Sequence, residues 1–179
     1  MKTTIALVAF TLLIPVSARA QDGRLNLSFL DRLAERASEK QIIDIPAEML
    51  RSATPLIPPS AKGGDVARQV LSELQGVFVR SFEFDDPKAY SMDDIVAIRK
   101  QLGTPGWTKI ISNEEKDKGG NWELQEIYFF QQSGKTNGIV IINAEPGELQ
   151  VVNIVGPIDF AKLGALGGIF GIPRGIGLQ

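Results

Sequence analysis

The sequence predicts an α+β fold, an antiparallel sheet of about five strands with helices packed on it, following a removable N-terminal segment. Three observations predict it. Helix signals dominate the first hundred residues, where capping residues precede apolar positions at helical spacing. From Trp107 onward the pattern changes to consecutive runs of β-branched and aromatic residues. Those runs are joined by short polar, Gly- or Pro-containing connections, which suit antiparallel hairpins and no crossover helices.

The elements follow in order. Met1 and Lys2 precede an apolar run from Ile5 to Val16, and Ala18-Arg19-Ala20 supplies the small-x-small pattern of a signal-peptidase site. Residues 1–20 are therefore expected to be a signal peptide, cut between Ala20 and Gln21. The apolar run is too short for the ~20 residues that span a bilayer. Ser28 to Asp31 has the form of a capping box for a helix carrying Leu30, Leu33, Ala34 and Ala37 inward. Gln41–Ile45 reads as a short strand, and Met49–Gly64 as a turn or short helix running into a Pro- and Gly-rich loop. Asp65 is expected to cap a helix with Val66, Val70, Leu71 and Leu74 inward. Val77–Phe84 is the first strong strand. Ser91 to Asp94 forms a second capping box, for a helix with Ile95, Ile98 and Leu102 inward, closed by Gly103.

Four strands then make a meander: Trp107–Asn113, Trp122–Gln131, Gly138–Ala144 and Leu149–Val155. Pro146-Gly147 is the pair of a type II turn, with proline presetting φ and glycine accepting positive φ. A two-residue turn there sets Ala144 opposite Leu149, Ile142 opposite Val151 and Val140 opposite Asn153. The other face then pairs Asn143 with Gln150, Ile141 with Val152 and Ile139 with Ile154. Both faces are mostly apolar, so each needs a cover. Helices of the chain, including a last one from Asp159, are the expected cover, with a second copy or a partner as the alternative. Residues 21–173 are expected to form one α+β domain, and 174–179 a flexible tail.

Composition narrows function by exclusion. The chain has no cysteine and no histidine. An exported fold without cysteine holds by its core alone, and the signal peptide carries no cysteine for a lipid anchor. Without histidine, Ser-His-Asp, Cys-His and zinc-hydrolase sites cannot be assembled. Removing Lys2 and Arg19 takes the 19 basic residues to 17, against 21 acidic, which is no footprint for nucleic acid. No transmembrane segment is expected in the mature chain, and no cofactor is implied.

One group of residues invites a site. Glu83, Asp85, Asp86, Asp93 and Asp94 lie between the first strong strand and the helix after it. Two close carboxylates can divide acid and base roles or hold a cation. The competing explanation is local, because turns and helix starts favour aspartate for their own reasons. Gly134-Lys135-Thr136 lacks the upstream glycine of a phosphate loop and reads as a hairpin turn. Trp107, Trp122, Tyr128, Phe129 and Phe130 can form a sugar-stacking platform, although alternation along strands turns at least half of them into the core.

The segments Gly76–Asp85, Tyr90-Ser91, Pro105-Gly106-Trp107, Val151–Asp159 and Phe170–Pro173 together resemble secreted bacterial proteins grouped as domain of unknown function 4252. The resemblance covers roughly Leu30 to Pro173. It implies an envelope or secreted location and assigns no activity or site residue. The expectation is thus an exported, non-enzymatic module that binds a protein partner or a second copy through sheet surface or its apolar C-terminal tail. A small carboxylate-dependent hydrolase using Glu83 and Asp85, or a carrier of small apolar ligands, are the alternatives.

Overall fold

The computed structural model describes residues 22–58, 64–116 and 122–159. The expected cleavage site at Ala18, Ala20 and Gln21, the last helix beyond Asp159 and the tail lie outside these residues. The architecture is α+β, built on one open antiparallel sheet of six strands rather than about five, in the order β1-β2-β6-β5-β4-β3. The strands are β1 (Glu39–Pro46), β2 (Gly76–Glu83), β3 (Trp107–Lys116), β4 (Trp122–Gln132), β5 (Lys135–Glu145) and β6 (Glu148–Val155). Strand β6, the last in sequence, lies in the interior between β2 and β5.

The β5–β6 hairpin has the expected register, with Ala144 opposite Leu149, Val140 opposite Asn153 and Ile139 opposite Ile154. Gly147 takes φ +85°, and a Cβ there would lie 3.0 Å from the Phe84 carbonyl oxygen, so the turn depends on glycine. The β4–β5 connection is a two-residue turn at Ser133 and Gly134, both at positive φ. That is the type I′ geometry which matches strand twist.

Because both faces of the central strands are apolar, both are covered. On one face, the 3-10 helix η1 (Ser28–Glu35) and α3 (Met92–Leu102) bury Leu30, Leu33, Ile95 and Ile98 against Phe78, Phe82, Val140, Ile142 and Val151. On the other, α1 (Ala47–Ala53) and α2 (Gly64–Glu73) bury Leu50, Ala67, Val70 and Leu71, with Leu74 just beyond, against Val77, Val79, Ile141, Val152 and Ile154. A second short 3-10 turn, Thr54–Leu56, follows α1. Helices therefore cover both faces, which explains a sheet with few polar positions inside its middle strands.

The two capping boxes behave differently. At α3 both reciprocal bonds form, between Ser91 and Asp94. At Ser28 no side-chain cap forms, and the helix is 3-10 and not α. The Ser28 hydroxyl bonds Asn26, and Asp31 turns to Arg80. Leu27, Leu30 and Leu33 are all buried at a spacing of three, the period of a 3-10 helix. Asp65 sits inside the first turn of α2, paired with Arg68, and is not its cap.

Candidate functional site

The first layer of the site is set by alternation along β2. Phe78, Arg80 and Phe82 share one face, so a cation sits between two aromatic residues on a strand packed from both sides. Arg80 is 3% exposed. Burying a guanidinium is tolerable only when its donors are met. Its Nε donates to Asp31 of η1 at 2.5 Å. The two terminal nitrogens donate to the two carboxylate oxygens of Asp44 on β1, at 3.1 and 2.9 Å. The carbonyls of Val79 and Ile43 complete the set. Burial alone would lower its pKa, but the bonds to Asp44 and Asp31 outweigh that and hold it above the ordinary arginine value.

The opposite wall comes from the segment ahead of η1. Buried Asn153 of β6 accepts from the Leu25 N–H and donates to the Gly23 carbonyl. Gln101 of α3 makes a reciprocal pair with the Asn26 backbone. Arg24 then stacks over the Phe78 ring, 4.2 Å from its centroid. Between this segment and β1–β2 lies a cleft of about 510 Å³, lined among others by Asp22, Arg24, Asp31, Asp44, Phe78 and Arg80. It is a charged cleft and not an apolar one. Beside it runs the edge strand β1, whose Ile42 is 43% exposed, and no described residue pairs with its outer side.

A second buried charge lies at the far side of the same face. Glu126 of β4 is fully buried. Arg99 of α3 grips both its oxygens, at 3.0 and 2.9 Å, the Tyr128 hydroxyl donates at 2.9 Å, and Lys109 of β3 also pairs with it. Burial would raise its pKa; the donors from Arg99, Lys109 and Tyr128 outweigh that and hold it below the usual carboxylate range. Neither Arg80 nor Glu126 was singled out from sequence. The signal was there, since each is a charge at an inward position of an alternating strand.

The five acidic residues read from sequence are not brought together. Strand β2 ends at Glu83, so strand alternation does not carry on to place Asp85 on the same side. Asp85 and Asp86 lie exposed in the following loop, where Asp86 accepts from the Lys88 N–H as an Asx turn. Asp93 is exposed in the first turn of α3, whereas Asp94 is buried, caps that helix and pairs with Arg32. What Glu83 meets instead is a row of its own kind: Glu39 and Glu148 are its cross-strand neighbours, and Glu145 faces Glu148. Burial, then the charges of Glu145 and Glu83, push the Glu148 carboxyl up. Among the described residues no three acidic side chains converge to hold a metal ion.

The aromatic residues divide as alternation requires. Trp107, Trp122, Tyr128 and Phe130 pack into the η1–α3 side, and Phe129 into the other. The Tyr90 hydroxyl reaches the carbonyls of Glu145 and Glu148, tying the loop before α3 to the β5–β6 turn.

Residues 35–166 match the family described as Domain of unknown function (DUF4252). The chain belongs to that family. The DUF4252 match contains all six strands, and with them Asp44, Arg80 and Glu126, while Asp31 and the segment carrying Arg24 precede it. No curated protein matches the sequence. Among the described residues no helix is long and apolar enough to cross a membrane.

Proposed function

We propose that this DUF4252 protein is an exported, non-catalytic binding module that receives an extended segment of polypeptide along β1, beside the Arg80 cleft. The observation that carries the reading is the exposed, unbulged edge strand next to a charged cleft. An extended chain added to such an edge gains main-chain hydrogen bonds, and side chains at alternate positions give selectivity. Lys40, Ile42 and Asp44 project on the cleft face of β1 and set that selectivity: an acidic, an apolar and a basic residue at every second position.

The chemistry of the perturbed groups supports binding over catalysis. Burial raises Tyr90 and Tyr128, while charged and hydrogen-bonded partners, working against burial, raise Arg80, Arg99 and Lys109 and lower Glu126. These six move away from neutrality, where an acid–base catalyst has to exchange its proton, whereas Glu148 moves toward it. Export rests on the signal-peptide pattern ending at Ala20, and amino-terminal sequencing of the secreted form should start at Gln21.

The test is photocrosslinking in the exporting cell. A photoreactive amino acid at Ile42 should give a discrete protein adduct that Lys40→Glu abolishes, while the same group at exposed Val96 of α3 gives none. No adduct at 42, or equal adducts at 42 and 96, would overturn the reading.

A further inference from the structure

We infer that the segment received by β1 is β1 of a second copy, paired antiparallel about a two-fold axis through Ile42, so that two sheets continue as one. The inference rests on the binding reading above and adds the identity of the partner.

Consider which registers a self-pairing strand allows. Directly opposite residues of an antiparallel pair point to the same face. With the axis perpendicular to the sheet, a residue must therefore face one of its own parity. Lys40, Ile42 and Asp44 share the cleft face, opposite Phe82, Arg80 and Phe78 of β2. Centred on Ile42, Lys40 of each copy faces Asp44 of the other, and the two isoleucines face each other. Shifting by two residues one way sets Lys40 opposite Ile42, and the other way sets Asp44 opposite Ile42. On the cleft face, only the central register matches charge with charge and apolar with apolar; on the other face it sets Gln41 opposite Ile43 and Glu39 opposite Ile45.

The groups concerned are free to respond. Ile42 is 43% exposed. The Asp44 side chain holds Arg80 yet is 51% exposed, so its carboxylate has room for another donor. Lys40 makes only a long 3.4 Å bond to the Ala34 carbonyl. The opposite edge is unsuited to the same role. Strand β3 has a register break between Lys109 and Ile111, with Ile110 standing exposed, and ends in Glu114, Glu115 and Lys116. A bulge of this kind is how sheets block edge pairing. β1 has eight residues in unbroken register.

The cysteine-free chain gives a direct test, because a single introduced thiol reports on the register alone. In the mature protein, Ile42→Cys brings two thiols face to face, with Cα atoms ~4.5–5.5 Å apart, inside the range a disulfide spans. Lys40→Cys leaves the thiols four residues out of step, at ~3.4 Å of rise per residue, and beyond bridging. Mild oxidation should therefore convert Ile42→Cys to a covalent dimer and leave Lys40→Cys monomeric. Sedimentation equilibrium of the unaltered chain should show monomer and dimer exchanging in the micromolar range, as befits an interface one strand wide. Lys40→Glu should weaken that dimer at least tenfold, and Ile110→Lys on β3 should leave it unchanged.

The inference is overturned by no covalent dimer from Ile42→Cys, by equal yields from both thiols, or by a dimer that Ile110→Lys and not Lys40→Glu destroys. A photocrosslinked adduct at Ile42 to a different protein, lost with Lys40→Glu, would also overturn it while leaving the binding reading in place.

Discussion

The two lateral halves of the sheet solve the same problem with opposite charges. In each, the strand next to the edge carries a buried ion on the η1–α3 face: Arg80 on β2 and Glu126 on β4. The edge strand supplies one counter-charge, Asp44 or Lys109, and a helix supplies the other, Asp31 or Arg99. The difference lies in what surrounds them. Glu126 has a phenol as well as two cations and stands behind a bulged edge. Arg80 opens onto a cleft behind an unbroken one. One half is sealed and the other opens onto a cleft, although the electrostatic plan is shared.

The largest effect expected is at the sealed half. Glu126→Ala removes the buried member and leaves two cations without their common anion, a change that costs about 3–5 kcal/mol, read by urea denaturation. Arg80→Met should cost less, about 1–3 kcal/mol, because its carboxylate partners are 45% and 51% exposed and regain water. If Arg80→Met costs more than Glu126→Ala, the contrast between a sealed and an open half fails.

Acid bears on the sealed half. Glu126 has a folded pKa below its unfolded value, so its stabilisation is complete above the unfolded value and is lost as pH falls through the folded one. Thermal midpoints should therefore drop in acid, and more shallowly in Glu126→Gln than in the unaltered protein. The edge counter-charges should matter least to stability, because each buried ion keeps its helix partner: Asp44→Asn and Lys109→Met are each expected to cost about 1–2 kcal/mol.

Glu148 supplies the reverse sign. Its folded pKa is raised, so protonation favours the fold, and stability declines as pH rises from the unfolded value through the folded one. Glu148→Gln should raise the midpoint slightly at neutral pH and leave it unchanged in strong acid, by differential scanning calorimetry.

Much of the fold was legible because its signals are local. The register of the β5–β6 hairpin follows from Pro146-Gly147, and the cap of α3 from Ser91 and Asp94. Helix η1 was misread because the pull on Asp31 comes from Arg80, 49 residues away. The placement of β6 beside β2 likewise depends on pairing between segments distant in sequence. The acidic residues stood out because they are adjacent in sequence, yet strand geometry disperses them. Arg80 and Glu126 were missed because a single charge inside an apolar strand says nothing of its partners, which sit on other elements.

The interior position of β6 also bears on how the chain can fold as it emerges from a ribosome or a secretion channel. Until β6 is out, β1 and β2 form only a two-stranded ribbon, which is marginal in water. Residues Glu83 and Glu148, neighbours in the finished sheet, are separated by most of the intervening fold, so closure carries a high contact order and is slow. A vectorially emerging chain is thus held back from completing its sheet until β6 has emerged, by topology alone.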